Sequence, residues 1–128
     1  MKKIPKISDS EYEVMEVLWA SDDYMEVSAV HDALSKVRKW AYNTVGTFLI
    51  RLTGKGFLDS KKRGRANCYF PLISEEEYIR AQTEEFLQTI HKGSKRSLIA
   101  ALCDSDTDDK ELDELMAFVE SKHDGKEK

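Results

Sequence analysis

Between Tyr42 and Lys55 the apolar residues Val45, Phe48, Leu49 and Leu52 fall at the i, i+3, i+4, i+7 spacing that places them on one side of a helix. The other side carries Asn43, Thr44, Thr47, Arg51 and Lys55, polar residues that repeat at steps of three and four. Such a helix buries one face and turns toward solvent a row of hydrogen-bond donors and acceptors of the kind that reads base edges. Gly56 is the expected stop.

The neighbouring segments limit the fold further. A first helix is expected from the capping box Ser8-Asp9-Ser10-Glu11 to about Ala20, with Tyr12, Met15, Leu18 and Trp19 as its apolar face. After Ser21-Asp22-Asp23, a second presents Val27, Val30, Leu34 and Val37. Beyond Gly56, the segments Phe57–Ser60 and Cys68–Phe70 have strand character, and Lys61-Lys62-Arg63-Gly64-Arg65-Ala66-Asn67 between them reads as a basic hairpin tip. Three helices followed by a basic hairpin are the parts of a winged helix-turn-helix, whose third helix enters the major groove while the hairpin reaches the flanking backbone.

Charge supports the same reading. Residues 1–71 carry 12 Lys+Arg against 9 Asp+Glu, whereas residues 72–128 carry 8 against 15. From Lys36 to Arg65 there are nine basic residues and one acid, Asp59, so a polyanion would meet a single face of the protein. The expected DNA contacts are Asn43, Thr44, Thr47, Arg51 and Lys55 from the helix, and Lys61, Lys62, Arg63 and Arg65 from the hairpin. A winged helix that binds a protein, a DNA-binding activator and an ordinary solvated basic face remain the alternatives.

Past Pro71 the chain turns acidic, and a second capping box, Ser74-Glu75-Glu76-Glu77, opens a helix through Ile79, Phe86, Leu87 and Ile90 that stops near Gly93. A short helix carries Leu98, Ile99, Ala101 and Leu102, and a last one carries Leu112, Leu115, Met116 and Val119 before Gly125. The expected fold is thus mostly α, with a winged helix over residues 1–72 and a three-helix dimerisation module over residues 73–128. Three amphipathic helices of this size do not sustain a core alone. Pairing two copies through Ile79, Phe86, Ile90, Leu98, Leu102, Leu112, Leu115, Met116 and Val119 would cover them, with folding back onto the same chain as the alternative.

Other classes find little support. The histidines His31, His91 and His123 are isolated, so no convergent catalytic set is present and an enzyme is not expected. Cys68 and Cys103 lack the short spacings of metal or redox motifs, and neither metal nor cofactor is expected. No stretch has the ~18 apolar residues of a membrane span, and Met1-Lys2-Lys3-Ile4-Pro5 leads into polar sequence, so the expected compartment is the cytoplasm.

The run Trp40-Ala41-Tyr42-Asn43-Thr44-Val45-Gly46-Thr47-Phe48-Leu49-Ile50-Arg51-Leu52-Thr53-Gly54-Lys55-Gly56 resembles the penicillinase repressors of the BlaI/MecI type, a family with copper-responsive relatives. Ile4–Glu11, Gly64-Arg65 with Tyr69, and the acidic helical C-terminal part extend the resemblance over nearly the whole chain. It implies a dimeric repressor of palindromic operators, with Thr44, Thr47 and Arg51 at positions where the family's recognition helix meets DNA. In antibiotic-responsive members it also implies release by a sensor-linked protease that cuts the C-terminal module. The bond that relatives present as Asn-Phe falls here at Ala101–Leu102, the candidate cleavage site. The paired C-terminal cysteines of the copper-responsive branch have no counterpart in residues 104–128.

Overall fold

A computed structural model describes residues 4–105 and 108–126, and side chains as far as residue 123. The order is α1 (Asp9–Trp19), β1 (Met25–Glu26), α2 (Val27–Leu34), α3 (Tyr42–Gly54), β2 (Leu58–Arg63), β3 (Ala66–Pro71), α4 (Glu75–Ile90), α5 (Lys95–Asp104) and α6 (Asp109–Lys126). The chain divides into two compact units, Met1–Thr83 and Glu84–Lys128.

In the first unit α1, α2 and α3 pack around Val14, Met15, Leu18, Val30, Val45, Leu49 and Leu52, all fully buried. The capping box starts α1 as the sequence predicts: Ser8 Oγ accepts from Glu11 N at 3.1 Å and Glu11 Oε1 accepts from Ser8 N at 2.9 Å. On α3, Val45, Leu49 and Leu52 face the core and Phe48 packs beside it, its ring 5.3 Å from that of Trp40. Truncating Leu49 or Leu52 to alanine would cost about 2–5 kcal/mol through lost burial and the cavity left behind. Val37, expected on the apolar side of α2, lies past that helix's Ser35 cap and is 78% exposed.

Helix α3 ends in a Schellman turn. Phe57 N donates to Leu52 O at 2.9 Å and Gly56 N to Thr53 O at 3.1 Å, while Gly56 takes φ +85°, which a side chain would strain. The turn buries Phe57 completely and feeds the chain into a three-stranded antiparallel sheet of order β1-β3-β2. The wing strands run farther than the sequence suggests. Lys61, Lys62 and Arg63 lie within β2 and Ala66 and Asn67 within β3, so the tip shrinks to Gly64-Arg65. Gly64, at φ +65°, supplies the positive dihedral that such a two-residue hairpin needs at its first position.

The units divide inside α4, later than the sequence boundary between residues 72 and 73, because the first turns of that helix belong to the N-terminal core. Tyr78 is buried there, its hydroxyl accepting from Ile7 N at 3.1 Å, and Tyr12 donates to Glu75 Oε2 at 2.8 Å. The Ser74/Glu77 capping box opens α4, with reciprocal bonds of 3.0 and 3.1 Å.

In the second unit α5 and α6 border a groove of about 360 Å³ lined by Ile99, Leu102, Leu112, Leu115, Met116 and Val119. Helix α6 runs past Gly125, where the sequence places its end, to Lys126. Among the described residues, no helix is long and apolar enough to cross a membrane.

Candidate nucleic-acid interface

The buried positions Val45, Leu49 and Leu52 fix the rotation of α3, and the face opposite them is open to solvent. Asn43, Thr44, Thr47, Ile50 and Arg51 are all exposed on it. Thr47 Oγ1 donates to Asn43 O at 3.0 Å, which leaves the hydroxyl oxygen as an outward acceptor. Arg51 is exposed and has no ion pair or hydrogen bond among the described residues, so its guanidinium donors are available to a ligand. His31 steadies the approach to the helix, its Nε2 lying 3.0 Å from Trp40 O.

Lys55 departs from the sequence expectation. It caps α3, and its ammonium lies 2.8 Å from both carboxylate oxygens of Glu11, a residue only 4% exposed. Burial alone would raise the Glu11 carboxyl. The Lys55 ammonium and the Ser8 amide and hydroxyl outweigh it, and the net position falls below the ordinary carboxylate value. Lys55 therefore clamps the recognition helix to the start of α1, and its charge is taken up inside the unit.

In the wing, Lys61, Lys62, Arg63 and Arg65 are exposed on β2 and the hairpin turn. Lys62 and Arg65 are without an ion-pair partner among the described residues. Lys61 and Arg63 gather on Tyr24, an aromatic the sequence reading passed over: the Lys61 ammonium sits 4.2 Å and the Arg63 guanidinium 5.5 Å from its ring centre. Tyr24 is itself fixed by stacking on Phe70 at 5.3 Å and by donating to Asp59 Oδ2 at 2.6 Å. Arg63 also donates to both Asp23 oxygens, at 2.8 and 3.3 Å, and this contact holds the Asp23 carboxyl below its usual range. Arg38 is spoken for as well, bidentate on Glu13 at 2.9 to 3.2 Å.

The residues expected at the dimer contact separate into groups. Leu102, Leu112, Leu115, Met116 and Val119 line the α5–α6 groove, and Leu98 is half-buried on α5. Phe86 and Ile90 are exposed on α4, while Ile79 belongs to the N-terminal unit. Ile99 and Phe118, exposed by 49% and 59%, are apolar members the sequence reading left out of the contact set. Cys68 is buried in β3 and Cys103 exposed on α5. Among the described residues no cluster of three or more His, Cys, Asp or Glu side chains could hold a metal.

A helix-turn-helix with a solvent-facing polar recognition surface, beside a two-stranded wing rich in cations, defines the winged-helix class of nucleic-acid-binding folds. The profile of the penicillinase repressor family matches residues 7–121, and the chain belongs to that family. It is 37% identical over 121 residues to a penicillinase repressor of Bacillus licheniformis, covering 94% of both chains. It is 32% identical over 100 residues to the transcriptional regulator BlaI of Mycobacterium tuberculosis, covering 77% of this chain and 72% of that one. Among solved structures, the DNA-binding domain of the repressor BlaI superposes with a TM-score of 0.54 at 45% identity, covering 61% of this chain and 94% of that one. The monomeric form of B. licheniformis BlaI, in complex with the blaP half-operator, superposes at 0.51 with the same identity and coverage.

Proposed function

We propose that the chain is a cytoplasmic transcriptional repressor that binds a two-fold symmetric operator as a homodimer. The observation that carries this reading is the solvent-facing polar surface of α3 set beside the wing cations. In it, Asn43, Thr44, Thr47 and Arg51 enter the major groove and read base edges, while Lys61, Lys62, Arg63 and Arg65 hold the phosphates on either side. The 45% identity to the B. licheniformis BlaI fragment solved with a half-operator supports this assignment. It favours DNA over a protein as the ligand of this winged helix.

Residues 73–128 pair two copies through the exposed apolar side chains of α4, α5 and α6, whose burial against a second chain removes them from water. Release follows when a sensor-linked protease cuts Ala101–Leu102, which detaches α6 and its share of the groove from the DNA-binding part. Both residues are exposed, yet the bond lies inside α5, so the helix has to open locally before it can be cut. Selection from a random-sequence duplex pool by the full chain tests the operator reading, and a palindromic site is the expected product. On that site Thr47→Ala and Arg51→Ala should each cost about 1–3 kcal/mol, with little loss on random DNA. Equal losses on both would place the reading face elsewhere.

A further inference from the structure

On α3 the positions diametrically opposite the buried Val45, Leu49 and Leu52 are Asn43, Thr47, Ile50 and Gly54, which follow one another at steps of four, three and four. Arg51 and Thr44 flank this line on one side. Ile50 therefore occupies the middle of the exposed face, and it is 66% exposed there, an isoleucine where every neighbouring side chain on the surface is polar. Its edge borders a groove of about 240 Å³ shared with Thr53 of α3 and with Ser60, Asn67 and Tyr69 of the wing. Burial within the chain does not account for its apolar character.

Gly54, one turn farther on, points the same way. A Cβ placed on it meets nothing within 4 Å, so no packing inside the chain demands a glycine at this position. The missing side chain lowers the profile of the last turn along the same line as Ile50, which suits close approach to the floor of a groove. Among the base-pair edges of the major groove, thymine presents the one apolar group, its C5 methyl.

We infer that Ile50 is a specificity-determining residue of this repressor, packing its side chain against the C5 methyl group of a thymine in each operator half-site. The inference rests on the operator-binding reading above. The polar neighbours Asn43, Thr47 and Arg51 hydrogen-bond to base edges. Ile50 adds a contact that tells thymine from cytosine, and from uracil, by shape and water exclusion alone.

The test uses the full chain and the duplex it selects from a random pool, with each thymine replaced in turn by uracil, which removes only the methyl group. Replacing one particular thymine should weaken binding of the unaltered protein about fourfold, equivalent to ~0.8 kcal/mol for one buried methyl group. Ile50→Ala, which removes the contact from both half-sites, should bind the thymine duplex about sixteenfold more weakly and be indifferent to uracil at that position, while its affinity for random DNA stays unchanged. Ile50→Val should keep part of the discrimination, and because the side chain is exposed both variants should melt as the unaltered protein does. If the duplex binds but no thymine distinguishes the unaltered protein from Ile50→Ala, the inference is overturned and the operator reading stands. If the chain selects no duplex, both fall together.

Discussion

Replacing Glu11 with glutamine separates the two tasks of that side chain. The glutamine carbonyl can still accept from Ser8 N, so the α1 cap survives, but the charge facing the Lys55 ammonium at 2.8 Å is gone. Breaking a fully buried pair costs about 3–5 kcal/mol and breaking an exposed one about 0–1 kcal/mol. Here the Glu11 side chain is 5% and the Lys55 side chain 37% exposed, which places the expected loss near 2 kcal/mol. The chain's two tryptophans, Trp19 and Trp40, both lie in the N-terminal unit, so their fluorescence during urea unfolding follows that unit. The loss also depends on pH. The folded Glu11 carboxyl titrates below its unfolded value, about 4.3. The pair's contribution is therefore complete above that pH and disappears as the pH falls through the folded value, where the two proteins should converge. Lys55→Ala should likewise destabilise the unit and leave the salt dependence of DNA binding nearly unaltered. An unchanged unfolding midpoint for Glu11→Gln, or a shallower salt dependence for Lys55→Ala at full stability, would refute the clamp and return Lys55 to the DNA face.

Asp23 competes with phosphate for the exposed Arg63 guanidinium, so Asp23→Asn should remove that competition and raise affinity a few-fold on operator and random duplexes alike; a loss of affinity in gel-shift titrations would mean that the contact positions the wing for its phosphate. Leu115→Glu places a charge in the α5–α6 groove, and sedimentation should show monomers that keep the tryptophan unfolding transition of the N-terminal unit; a persistent dimer would move the interface away from α6. Limited proteolysis at Ala101–Leu102 requires α5 to open, so saturating operator should slow the cut if DNA binding tightens the dimer; equal rates with and without DNA would uncouple the two events.

Much of the fold was legible because its signals are local. Both capping boxes, at Ser8/Glu11 and Ser74/Glu77, depend on residues three apart, and the stripe of α3 depends on residues within two turns. What escaped depends on long-range pairing. Strand β1 has two residues and exists because Met25 and Glu26 pair with Tyr69 and Cys68. The extension of β2 through Lys61–Arg63 carries no alternating apolar pattern, since those side chains face water on both sides of an exposed ribbon. Lys55 sits at the helical spacing expected of a DNA contact, and only the fold brings it to Glu11, 44 residues earlier. Ile50 was visible as a residue but not as a surface feature, because its exposure follows from how Val45, Leu49 and Leu52 orient the helix.

Whether this chain grips operator DNA with α3 and a cationic wing is read from the salt dependence of the full chain's affinity. With Lys61, Lys62, Arg63 and Arg65 meeting phosphates in two copies, log affinity against log salt should be linear, with a slope of about −7. Lys62→Ala should make that slope shallower by about 2, one contact per protomer, and lower affinity for every sequence alike. A slope near zero, or one that Lys62→Ala leaves unchanged, would mean that the wing cations do not meet DNA phosphates.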